Sequence, residues 1–249
     1  MAGHSKWASI KHKKKAVDAK RGQLFTKLSR AITVAAREGG DPEANSALAL
    51  AVQKARDASM PKDNIERAIA KGTGADSEAE AYESVVYEGY GPGGVAILVE
   101  ALTDNRNRTG SEIRHLFTRS GGSLGEPGSV AWTFEKKGDI VVDGGRYSED
   151  DLLPAIDAGA EDLSMDGDVW EIVTAPADLA TVRAALEEAG VELESAELVQ
   201  RATTRTPVEE DRVGSLMRLI ESLEDHDDVQ AVHANFDVDA EVLERVAAA

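Results

Sequence analysis

The stretch YESVVYEGYGPGGVAILVEALT, residues 82–103, contains two runs of β-branched and aromatic residues around a glycine-rich centre. This composition predicts two adjacent strands, 82–88 and 95–103, joined by a turn at Gly89–Gly94. A helix with Ile113 and Phe117 on one face is predicted next, and then a strand over 129–135. These elements, two or three strands and one helix, are too few for a stable domain, because one helix does not cover a face of the sheet.

The end of the chain offers the missing elements. Thr206-Pro207-Val208-Glu209 has the pattern of a capping box with proline at the first helical position, and it predicts a helix that continues to about Leu223. A last strand is predicted over 229–236. Residues 82–135 and 203–239 are therefore expected to form one discontinuous α+β domain.

The residues between these two parts have a pattern of their own, which starts at Gly138. Strands are predicted at 139–142, 170–174 and 197–201, and helices at 149–158 and 178–189. This alternation predicts an α/β domain, residues 136–202, inserted into the discontinuous domain.

Residues 1–75 predict a small helical domain. Leu24, Leu28 and Ile32 recur at helical spacing, and Gly39 ends that pattern. Asp41-Pro42 predicts the N-cap and first position of a second helix, and a third helix is predicted to end at Gly72 in a left-handed conformation. The polar residues 72–81 are expected to be a linker. The predicted fold class is multidomain α and α+β: a helical domain, then two α+β sandwich domains, one inserted in the other.

Charge is sorted along the chain, whose formal net charge is −18. Residues 1–71 contain 15 basic and 7 acidic residues, a net charge of +8. Subtraction from the totals of 28 and 46 leaves 13 basic and 39 acidic residues for 72–249, a net charge of −26. This asymmetry predicts a nucleic-acid-binding module on an acidic body that repels phosphate.

The basic residues of the first thirty positions are the first candidates for contact with nucleic acid, and Trp7 is a candidate for stacking on a base. Two arginines that precede a predicted helix form a second, weaker candidate site, for which a capping loop with salt-bridged arginines is an equally good interpretation. The candidates are Lys6, Trp7, Lys11, His12, Lys13, Lys14, Lys15, Lys20, Arg21, Lys27, Arg30, Arg106 and Arg108.

Composition excludes several classes of function. The chain has no cysteine, so disulfides, thiol catalysis and cysteine-ligated metal sites are excluded. It has no run of about 18 apolar residues, and its basic N-terminal stretch lacks the apolar core of a secretory signal. We therefore expect a cytoplasmic protein without membrane contact.

Three motifs suggest other chemistry, and each has a plainer interpretation. Gly121–Gly125 fits the serine-hydrolase pattern G-x-S-x-G, but a predicted helix precedes Ser123 and a predicted strand follows it, which is the reverse of the required order. Gly89–Gly94 resembles a dinucleotide loop but joins two strands. No two of the five histidines have the spacing of a helical zinc site, and Asp225–Asp228 is typical of a solvated turn. We expect no metal, no cofactor and no small-molecule substrate.

Several long blocks of the sequence strongly resemble the YebC family, and the resemblance runs nearly end to end. The blocks are Gly3–Trp7, Ile10–Lys14, Arg21-Gly22, Phe25–Leu28, Met60–Ile69, Tyr87–Gly94 and Thr103–Thr109. The resemblance implies three domains, one inserted in another, and no known enzymatic activity.

The same resemblance implies two alternative functions. The first is a DNA-binding transcriptional regulator. The second is a ribosome-associated translation factor that relieves stalling at proline-rich sequences, and mitochondrial relatives activate translation. Both need the basic N-terminal domain to contact phosphate, so the charge pattern is compatible with either. Because the basic stretch is mostly lysine, it neutralises phosphate without reading bases well, which suits folded RNA or nonspecific DNA at least as readily as an operator. A different class, a hydrolase using Ser123, is the remaining alternative.

Overall fold

The computed structural model describes residues 18–74 and 82–248. It begins with three helices, α1 (Asp18–Ala35), α2 (Ser46–Asp57) and α3 (Lys62–Gly72), and a 3-10 turn, Ala36–Glu38, extends α1. Their apolar faces meet in one core, to which Ile32, Leu48 and Val52 contribute fully or almost fully buried side chains. The predicted helical domain is thus present over the described residues. Most of the predicted linker lies outside them.

The prediction that Asp41-Pro42 opens the second helix is wrong. The Asp41 carboxylate accepts from the backbone N–H of Glu43 in a turn. The helix α2 begins at Ser46, four residues after the predicted first position, Pro42. Asn45 is the N-cap, because its side-chain oxygen accepts from the N–H of Leu48 at 3.0 Å. The Asn45 amide also donates to two carbonyls at the end of the preceding helix, at 2.8 Å each, so one side chain fixes both ends of the connection.

Gly72 ends α3, but for a reason other than the predicted left-handed conformation. The positive φ belongs to Gly74, at 82°. A Cβ on Gly72 would lie 2.6 Å from the Cβ of Ala36 and would also strike the carbonyl oxygen of Thr33. Glycine is therefore required at this position by the close approach of α3 to α1.

The first sheet combines strands from both ends of the described chain. It contains β1 (Glu83–Tyr90), β2 (Ala96–Thr103), the short β3 (Ser123–Leu124) and β9 (Val229–Ala234), in the order β3-β1-β2-β9, all antiparallel. Two helices, α4 (Arg106–Arg119) and α7 (Glu210–Glu224), cover it. Ile113, Phe117 and Leu216 are fully buried between helices and strands. The tail of the chain thus completes this sheet, as the sequence predicts.

The second sheet is built from one continuous part of the chain. Its strands are β4 (Phe134–Asp143), β5 (Ala160–Asp166), β6 (Val169–Thr174) and β7 (Ser195–Ala202), in the order β5-β6-β4-β7. Helices α5 (Leu153–Asp157) and α6 (Leu179–Glu188) pack on one face, around Ile140 and Ile172. The fold class is confirmed: a helical region is followed by two mixed α and β units.

The predicted strand over 129–135 is wrong. Residues 131–133 form a 3-10 turn, and β4 is one ten-residue strand whose first residue, Phe134, already pairs with Ala202 of the second sheet. The loop before it is held by the buried carboxylate of Glu88, which accepts three backbone N–H groups at 2.6–2.8 Å, from Gly128, Val130 and Ala131.

The predicted capping box at Thr206–Glu209 is also wrong. Thr206–Pro207 forms a short strand, β8, parallel to β10 (Phe236–Asp237), and α7 begins only at Glu210. Proline fits here because it occupies a strand edge, where no donor is needed. A last helix, α8 (Ala240–Ala248), and the strand β5 were not predicted. The predicted domain bounds stay a prediction.

Candidate nucleic-acid interface

The structure describes only some of the predicted contact residues. Seven of them lie outside the described ranges: Lys6, Trp7, Lys11, His12, Lys13, Lys14 and Lys15. Of Lys20 only the backbone is described, in the first turn of α1. Arg21, exposed on the same helix, places its guanidinium 5.5 Å from the ring centre of Phe25. Lys27 and Arg30 lie six and nine residues farther along α1.

Lys27 and Arg30 both contact the segment where α7 leads into β9. Arg30 contacts the turn Asp225–Asp228, which is called the acidic turn below, and Lys27 contacts the last residue of α7. The Lys27 ammonium donates to the carbonyl of Glu224 at 2.6 Å. Arg30 donates to a backbone carbonyl of the acidic turn at 2.9 Å and to the Asp228 carboxylate at 2.8 Å. These two cations therefore attach the helical domain to the first sheet.

Asp228 is the centre of this junction. Its side chain is almost fully buried, and its second oxygen accepts from the Arg108 guanidinium at 2.7 Å and from the Thr109 hydroxyl at 2.6 Å. Burial raises the pKa of Asp228, but the hydrogen bonds from Thr109 and Arg108 outweigh it and hold the pKa below its ordinary value. The carboxylate is thus ionised and shared by Arg30 and Arg108.

The two arginines of the second predicted site, Arg106 and Arg108, have different environments in the structure. Arg108 bonds Asp104 at 2.9 Å as well as Asp228, and the Asn105 side chain caps α4 by accepting from the N–H of Arg108. This contact pattern is that of a capping loop with a salt-bridged arginine. The Arg106 side chain is exposed, and its backbone carbonyl accepts from the hydroxyl of Tyr87.

A cleft of about 910 Å³ lies between α1, α4 and the acidic turn. Its walls carry both signs of charge, with Arg30 and Arg108 facing the carboxylates of the turn. Ligand atoms of Glu112, His226 and Asp228 come within 4.8 Å of one another, the spacing of a possible cation site. However, Glu112 bonds His226 at 2.9 Å and Asp228 holds two guanidinium groups, so a cation would have to displace these partners.

The acidic turn is the feature that sequence reasoning missed, because it was interpreted as a solvated turn. Its partners Arg30 and Arg108 are 198 and 120 residues away from Asp228. Opposite charge is the available signal, because Arg30 and Arg108 are basic and the segment Asp225–Asp228 has three acidic residues in four positions. No periodicity or spacing connects residues so far apart.

Two other candidate motifs have plain positions in the structure. Ser123 lies in the two-residue strand β3, opposite Tyr90, after a helix and before a strand. The order that a hydrolase elbow requires, a strand before the serine and a helix after it, is therefore not the order around Ser123. Residues 91–95 join β1 and β2, with left-handed φ angles of 79° at Gly93 and 75° at Gly94, while Gly89 and Tyr90 of the predicted turn belong to β1. Within the described ranges, no helix is both long enough and apolar enough to cross a membrane.

Comparison with known proteins gives full-length matches. Residues 5–75 match the TACO1/YebC protein N-terminal domain, and residues 82–236 match the TACO1/YebC second and third domain. A probable transcriptional regulatory protein of Rubrobacter xylanophilus is 57% identical over 249 residues, covering 99% of this chain and 100% of that protein. One of Acidothermus cellulolyticus is 54% identical, with coverage of 99% and 100%.

A solved structure is similar as well. The crystal structure of a conserved hypothetical protein of Aquifex aeolicus superimposes with a TM-score of 0.82 at 47% sequence identity, over 90% of this chain and 93% of that one. Family profiles that together match most of the chain, relatives above 50% identity and a shared three-part fold agree. The chain belongs to the TACO1/YebC family.

Proposed function

We propose that this protein is a nucleic-acid-binding regulator of gene expression without catalytic activity, and that its lysine-rich stretch, Lys6–Lys15, supplies the main phosphate contacts. The observation that carries the proposal is the sorting of charge, +8 over residues 1–71 against −26 over residues 72–249. Its relatives, which are named probable transcriptional regulatory proteins, support a regulatory role.

The contacts of the other predicted cations, on α1 and α4, support the choice of this stretch. Lys27, Arg30 and Arg108 are engaged with acceptors of the chain itself, so phosphate would have to compete with short hydrogen bonds at these positions. Arg21 and Arg106 are exposed and extend the proposed contact surface. Trp7 is proposed as a stacking surface among the lysines, because an aromatic face accepts any base.

The first test is the salt dependence of binding to RNA and to duplex DNA. Replacing Lys13, Lys14 and Lys15 by Ala should reduce the slope of log affinity against log salt by roughly 0.7–0.9 for each lost phosphate contact. The matched control removes three exposed cations that each pair with a carboxylate, Lys62, Arg212 and Arg245. An unchanged slope in the first variant, or an equal change in the control, would contradict the proposed contact.

A ribosome-associated translation factor is the second candidate function, and the predominance of lysine favours it. Lysine provides a point charge without the planar fork that arginine uses to read guanine, which suits the backbone of folded RNA. Sedimentation of lysate through a sucrose gradient separates the candidates. Migration with ribosomes that the three lysine substitutions abolish supports the translation role, whereas recovery only with chromosomal DNA supports the transcriptional one.

A further inference from the structure

The groove between α4 and α7 contains a second, smaller recess, at the opposite end of α4 from the acidic turn. Its volume is about 230 Å³. Two arginines, three serines and one leucine line it, and none of these described lining residues is acidic: Leu116, Arg119, Ser120, Ser215, Arg218 and Ser222. Leu116 also lines the larger cleft, so the two recesses adjoin along α4.

The two arginines of this recess face a solvent-accessible space without a carboxylate partner. Both side chains are exposed, and neither forms an ion pair with any residue in the described ranges. Arg119 stands in the last turn of α4, where the helix dipole favours a cation, but Arg218 lies in the middle of α7 and has no such reason. Like charges in one recess repel each other, and this occurs in a part of the chain with 39 acids against 13 bases.

The hydrogen-bonding groups of the recess match an oxyanion. Each guanidinium presents a planar fork of N–H donors that fits the oxygens of phosphate. The hydroxyls of Ser215 and Ser222 donate to helix carbonyls at 3.0 and 2.7 Å, and a hydroxyl can rotate to donate to a ligand instead. The volume is below the about 300–1,000 Å³ typical of sites for whole small molecules, so it selects a single phosphate group over a nucleotide.

We propose that Arg119 and Arg218 form a binding site for one phosphate group, with the serine hydroxyls as additional donors. The phosphate has two possible sources: a small free phosphate, or one backbone phosphate of a bound nucleic acid. The second source rests on the proposed function. It would extend the contact surface from the N-terminal stretch onto α4, which carries four arginines and one glutamate in fourteen residues.

The test is a titration of the full chain with inorganic phosphate, followed by NMR of the arginine side-chain N–H groups and by calorimetry. Wild type should show saturable binding, and the double variant R119Q/R218Q should bind at least roughly tenfold more weakly because it loses two charge-assisted contacts. The control R212Q/R245Q removes the same charge from arginines paired with Asp211 and Glu210, and should bind like wild type. Equal unfolding midpoints show that both variants are folded.

A second experiment with a single-stranded RNA that has no terminal phosphates identifies the source of the bound phosphate. A lower salt slope for RNA in R119Q/R218Q assigns the site to the nucleic-acid backbone, and an unchanged slope together with lost phosphate binding assigns it to a small phosphate. Phosphate binding that does not saturate, or that is equal in the two double variants, would overturn the proposal. Failure of the proposed function is distinguishable, because a chain lacking Lys13–Lys15 should still bind inorganic phosphate at this site.

Discussion

Asp228 is one carboxylate that connects two separate structural units. It is almost fully buried and bonds Arg30 of α1 and Arg108 of α4, while Thr109 satisfies it further. A buried charge is costly without partners, and Asp228 is far more buried than the two arginines that it pairs with. The stability of the junction therefore depends on this residue more than on either arginine's exposed contacts.

The substitution D228N should destabilise the protein by about 3 kcal/mol, because two guanidinium groups lose a buried anion. One guanidinium nitrogen of Arg108 contacts both Asp228 and the exposed Asp104. The control D104N removes the exposed contact and should lower the free energy of unfolding by less than about 1 kcal/mol. Urea unfolding followed by circular dichroism measures both. Equal effects of the two substitutions would show that burial of Asp228 contributes nothing.

The cations of this junction could be identified from sequence, and their partner could not. Arg30 and Arg108 stood out as basic residues in an acidic chain, so they were predicted to contact phosphate. The structure shows them engaged with a carboxylate far away in sequence, and only the three-dimensional pairing of α1 with the acidic turn reveals it. Their contact with nucleic acid stays a prediction.

At the scale of elements, the helical domain depends on one close approach. The last residue of α3, Gly72, touches α1 so closely that a methyl group would strike Ala36 at 2.6 Å and the backbone at Thr33. The contact leaves no room for adjustment, since one of the two neighbours is backbone.

The substitution G72A should destabilise the helical domain by about 1–3 kcal/mol through overpacking. The control G22A places the same methyl group inside α1 where nothing lies within 4 Å, and should stabilise by about 0.5–1 kcal/mol because alanine favours a helix over glycine. Thermal unfolding of the two variants gives the comparison. A neutral G72A would refute the packing argument for this glycine.

Elements with strong local patterns were predicted well, and elements defined by their partners were not. The strands around Gly89–Gly94 and the helices α4 and α6 follow their apolar spacing. By contrast, Ala160–Asp166 has four polar residues in seven and becomes strand β5 through pairing with β6. Gly138 was interpreted as a boundary, yet it lies inside β4, where a Cβ would come within 3.0 Å of Leu179 of the packed helix α6.

At the scale of the whole molecule, two buried acids give opposite pH dependences. Asp139 on β4 lies beside Glu171, with Arg201 at 3.7 Å, and one of its oxygens has no hydrogen-bond partner among the described residues. Burial and the charge of Glu171 raise its pKa to about 7, against the weaker effect of Arg201. The lowered pKa of Asp228 affects the stability of the protein at acidic pH.

These directions predict that stability is greatest at about pH 4, where the gain from Asp228 is complete and the loss from Asp139 begins. Asp228 stabilises the folded chain above the unfolded pKa of about 3.9, and this contribution is lost as the pH falls through its folded pKa. Asp139 keeps its proton when folded up to about pH 7 and when unfolded only to about 3.9, so stability falls by about 2–4 kcal/mol between pH 4 and 8.

The substitution D139N should flatten the fall in stability above about pH 4 and leave the loss of stability at lower pH, which Asp228 causes, unchanged. The control D162N changes an exposed aspartate on the neighbouring strand β5 and should keep the wild-type curve. Urea unfolding at intervals of one pH unit measures the three curves. A wild-type slope in D139N would exclude Asp139 as its cause.

The sheet order β3-β1-β2-β9 has a consequence for how the protein is made. The strand that completes the first sheet begins at Val229, 126 residues after β2 ends at Thr103. At about 5–20 residues per second, the growing chain exposes one edge of β2 for about 6–25 seconds before its partner is synthesised. The strands of the second sheet, residues 134–202, are all synthesised within that interval, so synthesis completes the second sheet before the first. The edge of β2 is then the place where a nascent chain needs protection from aggregation.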